Sequence, residues 1–313
     1  MESVSENRLL KLPPGALENI RKIHNLDQPG RVEEAVKILE EWILKQDHII
    51  KKDFSKDYLE RILISCKGSV EKSKKQIDRL CTMKTLTPKF FEKVNPKEEL
   101  QDILDLVWVI PLPMITEDYY RIEIIKINNK NFTTESFMKY FQYTVILSEY
   151  VVTHDYVNGY IVIDDFTDLN LLELMSKMNH VEMQQFMTIL TEGYGARLKG
   201  IHILTDSLAV ELLIKTMKLF VSEKIGNRIH FQPTLEDLHK AVPKEILPVE
   251  YGGNERSIEK LHEEWIEELS SEKQVEYMKM MREACTDETK RHDGMFNEEY
   301  MGTPGAFRCL RVD

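Results

Sequence analysis

Apolar residues recur at helical spacing through the first ninety residues and then give way to short apolar runs separated by further helical stretches. Pro13-Pro14-Gly15 opens a short helix from Ala16 to Ile23, and Pro29-Gly30 breaks the chain before a second, where Val32, Ala35, Val36, Leu39, Trp42 and Ile43 share one face. A third helix runs from Lys56 to about Ser65, capped by Asp53 or Ser55. The fourth has Ser69 as its N-cap, with Val70, Ile77 and Leu80 inward and Lys72, Lys74, Lys75 and Arg79 outward. That basic row reads either as a solvated face or as one turned to anionic membrane.

Beyond Pro88 the period changes. Leu106 to Ile110, Tyr119 to Ile127, Tyr160 to Ile163, the run around Ile201 and Arg228 to Phe231 read as strands. Between them lie helices Thr134 to His154 and Val181 to Tyr194, and a last helix spans Leu235 to Ala241. Strands alternating with helices predict an α/β fold built on a largely parallel sheet, preceded by a small all-helical unit. Further on, Leu261, Trp265, Ile266 and Leu269 put a helical stripe in the acidic segment Ile258 to Glu299, suited to packing on its own domain or to a partner.

The helix predicted from Ser207 to Ile225 stands apart. Leu208, Val210, Leu212, Leu213, Ile214, Met217, Leu219, Phe220 and Val221 cover most of its circumference, and only Glu211, Lys215 and Lys218 keep a polar stripe. A helix apolar nearly all round is buried by protein or by lipid. Two cation pairs flank it. Arg197 and Lys199, two apart before a strand, point to one side, while Lys224 and Arg228 stand four apart. Such charges around a greasy element suit anionic headgroups.

Composition narrows the classes. The chain has 313 residues and a formal net charge of −11, which opposes general association with nucleic acid. No apolar run approaches the roughly 20 residues of a membrane span, and the N-terminus lacks a signal-peptide pattern, so a soluble, cytoplasmic protein is expected. Cys66, Cys81, Cys285 and Cys309 form no Cys-x-x-Cys pair, and the histidines are scattered, so no metal or disulfide framework is expected. Asp164, Asp165 and Asp168 cluster at a strand end, where α/β enzymes place catalytic groups. No phosphate loop or nucleophile elbow accompanies them, and a non-enzymatic role is preferred.

Three blocks of sequence carry a family likeness: Arg197-Leu198-Lys199-Gly200-Ile201-His202, then Lys224 through His230, then Leu247-Pro248 through Tyr251-Gly252-Gly253. With Asn158 to Asp165 they closely resemble the CRAL-TRIO lipid-binding family, in its tocopherol-transfer and retinaldehyde-binding branch. Tyr58 to Leu63 resembles that family's N-terminal helical domain, and Gly305-Ala306-Phe307-Arg308 a common ending of its members. The resemblance implies three parts: a helical N-terminal domain (1–93), a lipid-binding domain (94–255) whose helices and mostly parallel sheet enclose a hydrophobic cavity, and a C-terminal helical extension and tail (256–313).

It also implies a site. One small hydrophobic lipid, of tocopherol, retinoid, carotenoid or similar type, would lie in the cavity behind a mobile gate at 206–225, with no other cofactor. Walls matched by position are Phe141, Thr144, Ser148, Tyr160, Ile189, Leu190 and Tyr194, with Leu212 and Phe220 from the gate. Thr144 and Ser148 could orient a polar end. Arg197, Lys199, Lys224 and Arg228 match phosphoinositide-binding cations, implying transient membrane contact by a monomer. The methionines Met175, Met178, Met183, Met187 and Met217 offer adaptable filling for cavity or core. The chain departs from the family pattern at Gly195, usually proline, at Thr205-Asp206-Ser207, at Asp168, and at Cys66, a basic position in the tocopherol-transfer branch. A scaffold that kept the fold and lost its ligand is the other reading.

Overall fold

The computed structural model describes residues 7–127 and 132–291; the tail motif Gly305-Ala306-Phe307-Arg308 and Cys309 lie outside them. The N-terminal helices are α1 (Ala16–Ile23), α2 (Arg31–Leu44), α3 (Lys56–Ser65) and α4 (Val70–Leu86). Of the two candidate caps of α3, Ser55 does the capping, accepting a hydrogen bond from the Tyr58 amide, and Ser69 caps α4 through Lys72. Two single turns, α5 (Pro96–Glu99) and α6 (Gln101–Leu104), lead to the sheet.

The sheet runs in chain order: β1 (Val107–Ile115), β2 (Tyr120–Ile127), β3 (Gly159–Asp165), β4 (Leu198–Leu204) and β5 (Ile229–Gln232). β1 pairs antiparallel with β2, and every later pairing is parallel. β1 runs five residues beyond the predicted Ile110 because Pro111 and Pro113 are tolerated on an edge strand, where the register also shifts. The parallel strands are joined by α7 (Thr134–His154), by α8 (Leu171–Ser176) with α9 (His180–Thr188), and by α10 (Val210–Met217) with α11 (Glu223–Gly226). Right-handed crossovers between strands added in one direction place all these helices on one face. Space enclosed between that layer and the sheet is the consequence.

The opposite face takes α12 (Leu235–Ala241) and the segment ending at Tyr251, whose hydroxyl donates to Asp165 at 2.7 Å. α13 (Ile258–Leu269) settles the reading of the acidic segment: Leu261, Trp265 and Leu269 are fully buried, and the Trp265 indole N–H donates to the Pro111 carbonyl at 3.0 Å. The helix packs on its own chain. α14 (Glu272–Arg282) then returns to the N-terminal helices, where Met281 joins the core formed by Val36, Leu39, Ile43 and Leu59.

Two predicted elements change on folding. Residues 207–225 form not one helix but α10 and α11 with a break at Lys218–Ser222, since packing Phe220 inward against His180 turns the chain out of its helical path. The helix expected to continue to Tyr194 stops at Thr188 and widens into a π-turn, Ile189–Gly193. π-turns of this kind are frequent at functional sites.

Candidate functional site

A cavity of about 210 Å³ lies between the crossover helices and the sheet. α7 contributes Tyr140, Thr144, Leu147, Ser148 and Val151, a stripe at three- and four-residue spacing, while Tyr160, Val162 and Ile201 come from the strands. Leu190 and Tyr194 enter from the π-turn and its exit, and Phe220 from the break between α10 and α11. All five methionines singled out in the sequence line the cavity, so most of one wall is unbranched and easily reshaped.

Three expected wall residues are elsewhere. Phe141 lies behind the wall, stacked on Phe186 with ring centroids 4.2 Å apart, and Phe186 presents to the cavity in its place. Ile189 is buried in the surrounding core. Leu212 points outward and is 51% exposed; Leu213, one residue or about 100° further round α10, faces inward together with Met217.

The back of the cavity is anchored to the N-terminal helices. Tyr194 donates its hydroxyl proton to Glu149 at 3.0 Å, and Lys84 of α4 donates to the same carboxylate oxygen at 3.1 Å and to the Met281 carbonyl at 3.0 Å. Both charged partners are almost fully buried. Breaking a pair of this kind leaves an uncompensated charge, so α4, α7 and the π-turn are held as one unit.

Below the sheet's entry side the predicted cations converge, joined by Lys67, the residue after Cys66. Lys67 occupies the left-handed region, φ 57°, after α3 ends, so it does not follow helical geometry and reaches toward Lys224 and Arg197. The Lys224 charge, then partial burial, then Arg197 lower its pKa. Lys199 is lowered by burial and then by Arg197, Arg228, Lys67 and Lys224. Lys199 lies over the Tyr120 ring, 4.8 Å from its centroid. Arg197 contacts His24 Nε2 at 3.3 Å, and burial followed by the Arg197 charge brings that imidazole down to about 4, keeping it a neutral acceptor. Among the described residues none of Lys67, Arg197, Lys199, Lys224 and Arg228 forms an ion pair with a carboxylate. Such mutual repulsion is relieved by an anion.

Residues 110–253 match the model of the CRAL/TRIO domain, and residues 28–100 that of the Pinta-like UBA domain. The chain carries a CRAL-TRIO domain. The family is one of lipid-binding and lipid-transfer proteins. The mouse alpha-tocopherol transfer protein-like protein is 33% identical over 101 residues, 31% of this chain and 28% of that relative. Rat clavesin-2 is 30% identical over 98 residues, 31% of this chain and 30% of the relative. The chain thus aligns with under a third of the length of these curated relatives. The crystal structure of Sfh5 shares the fold, with a TM-score of 0.50 at 11% identity, over 75% of this chain and 91% of that one.

Two departures of the chain from the family pattern prove to be one packing arrangement. Gly195 has φ +67°, and a Cβ there would meet the Gln76 side-chain oxygen at 2.4 Å. That oxygen accepts from Ser65 at 3.0 Å and from the Cys66 thiol at 3.0 Å. Cys66 is therefore buried behind the patch, where burial pushes its thiol pKa up, and Lys67 supplies charge from the surface. Proline, fixed near −65°, cannot adopt the Gly195 conformation. Gly195→Pro is expected to lower stability by at least ~1 kcal/mol, seen as a lower melting temperature.

The aspartate cluster also resolves into separate duties in the CRAL-TRIO domain. Asp165 accepts from Lys126 at 2.6 Å, Tyr251 at 2.7 Å and Thr167 at 2.7 Å; burial alone would raise its pKa, but these donors hold it below the usual carboxylate range. Asp168 is exposed in the following loop. Asp164 faces the cavity, as does Glu123 from β2. Sequence reading missed Glu123, because an alternating charge in a strand reads as solvent-facing unless the sheet is covered on both sides.

Proposed function

We propose that this protein binds one small hydrophobic lipid in the cavity and exchanges it with anionic membranes, with segment 206–225 as the gate. The observation that carries the reading is the two-faced character of that segment. Its inner side chains Leu213, Met217 and Phe220 line an open, almost wholly apolar cavity, while Leu208, Leu212 and Leu219 of the same segment are 99%, 51% and 70% exposed. Exposed leucines grouped on one element are characteristic of a contact surface. Set into a bilayer, each would recover ~1.5–3 kcal/mol of apolar transfer. That gain offsets the cost of swinging the inner face away from its ligand.

The basic cluster around Lys67, Lys199 and Lys224 lies beside the end of the gate and supports phosphoinositide headgroups as the anionic part of that surface. Binding and release need no bond chemistry, so the protein acts without catalysis, cofactor or metal, as a cytosolic monomer in transient contact with membranes, and without nucleic acid. An open cavity favours this reading over a scaffold that has lost its ligand.

Organic extraction of the purified protein followed by mass spectrometry is expected to yield about one hydrophobic molecule per chain. Absence of any extracted lipid, together with failure to take up a fluorescent hydrophobic probe, would overturn the proposal. Leu208→Asp with Leu219→Asp is expected to slow probe transfer between vesicles about tenfold while leaving probe affinity within twofold. Equal slowing and loss of affinity would place these leucines in the fold rather than at the membrane.

A further inference from the structure

The cavity wall holds two carboxyl groups that the fold does not use. Glu123 and Asp164 are the only charged side chains among its described lining residues. They sit on the same face of adjacent parallel strands, Glu123 opposite Val162 and Asp164 opposite Ile125, so their positions are offset by two residues across strands about 4.8 Å apart. Asp164 is only 6% exposed, and the partial accessibility of Glu123 is to the cavity. No described residue gives either carboxyl a hydrogen bond or an ion pair, whereas the neighbouring Asp165, on the opposite face, accepts from three residues.

Buried carboxyls are normally paired, because an unpaired one carries the full cost of desolvation. Among the described residues nothing supplies the missing partner. Tyr140 from α7, Tyr160 from β3 and Tyr194 beyond the π-turn are the other titratable groups among the described residues lining the cavity, and no described lysine, arginine or histidine lines it. Tyr194 is engaged with Glu149, and Thr144 spends its hydroxyl on the Tyr140 carbonyl at 2.9 Å. The partner must come with the ligand.

We infer that the cavity selects an amphiphile whose buried polar end is a protonated amine, held by charge-assisted hydrogen bonds to Glu123 and Asp164, and that it rejects lipids ending in a carboxylate. The inference rests on the lipid-cavity reading above. An ammonium group supplies three donors and the counter-charge in one small end, and the methionine-rich wall takes the chain behind it. Burial, with the Asp164 charge added in the case of Glu123, raises both carboxyls to about 7, so near neutral pH the pair keeps part of its protons. A carboxylate ligand would meet negative charge in an apolar space. An amine, with an ordinary pKa near 10.4, would drive the pair to ionise and release protons.

The test compares three single-chain probes of equal length, a primary amine, its alcohol and its carboxylic acid, on the full chain by titration calorimetry at pH 6 and pH 8. The amine is expected to bind at least about tenfold more tightly than the acid, with affinity rising from pH 6 to pH 8 as the pair loses its protons. Asp164→Asn, or Glu123→Gln should the first fail to fold, is expected to reduce amine affinity about tenfold and to leave alcohol affinity within threefold. Acid binding as tight as amine binding, or an amine preference unchanged in a folded variant, would overturn the inference while leaving a lipid cavity in place. Failure of all three probes to bind would overturn the lipid reading itself and this inference with it.

Discussion

Replacing Lys67 and Lys224 together by glutamate is expected to weaken binding to phosphoinositide-containing vesicles about a hundredfold, with little change in the affinity of the cavity for its probe. Both side chains are exposed, and neither has an ion-pair partner among the described residues, so the substitutions remove repulsion rather than structure. A basic residue at an anionic surface contributes about 1 kcal/mol, and reversing its sign adds repulsion of similar size. Two reversals therefore total ~4 kcal/mol at low ionic strength, less as salt screens the surface, which brings the expected change near a hundredfold. Co-sedimentation with vesicles that contain or lack phosphoinositide, at two salt concentrations, measures it. Vesicle binding that survives in the double variant would remove the patch from the exchange mechanism. Lys67 and Lys224 are the informative pair, since Arg197 is tied to His24 and Asn158 and Arg228 to the Leu198 carbonyl.

Arg121→Met is expected to be the most destabilising single substitution in the sheet. Arg121 is fully buried, pairs with Asp155 through two bonds of 2.8 and 2.7 Å, and donates to the Leu112 and Pro113 carbonyls at 2.9 and 2.6 Å. It thereby fixes the irregular end of β1, the start of β2 and the residue that follows α7. Removing it strands a buried carboxylate and two carbonyl groups, a loss on the order of 3–5 kcal/mol. For a domain of this size the melting temperature is expected to fall by roughly 10 °C. The double variant Arg121→Met with Asp155→Leu should recover much of that loss, because the orphaned charge goes too. Equal destabilisation in the single and double variants would show that the carbonyl contacts, not the ion pair, dominate.

The Lys67 and Arg121 sites mark the two ways in which sequence reading ran short. The four predicted cations do lie together, but not through local spacing: α11 ends at Gly226 and β4 begins at Leu198, so Arg228 and Arg197 stand outside the elements that their spacing suggested. Lys67 required the end of α3 to be known. As a helical neighbour of Cys66 it would point about 100° away; in the left-handed conformation after the helix it turns toward the patch. Arg121 lies within the stretch Tyr119 to Ile127 that reads as a strand, and nothing local announces that Asp155, thirty-four residues on, pairs with it.

The cavity divides along the same line. Of the positions that the resemblance implied, Thr144, Ser148, Tyr160, Leu190, Tyr194 and Phe220 lie along the cavity. Phe141, Ile189 and Leu212 do not, because depth behind the wall depends on what stacks there, and only Phe186 and the turn of α10 decide that.

By itself, then, the chain's periodicity determined the order and type of most elements and the apolar character of segment 206–225, both of which arise from interactions within a few residues. Tertiary structure alone decided that this segment breaks into α10 and α11, that its leucines divide between cavity and surface, and that Glu123 and Asp164 face the cavity with no partner among the described residues. Those outcomes depend on which faces meet across the sheet, and a contact between distant residues leaves no period in the sequence to read.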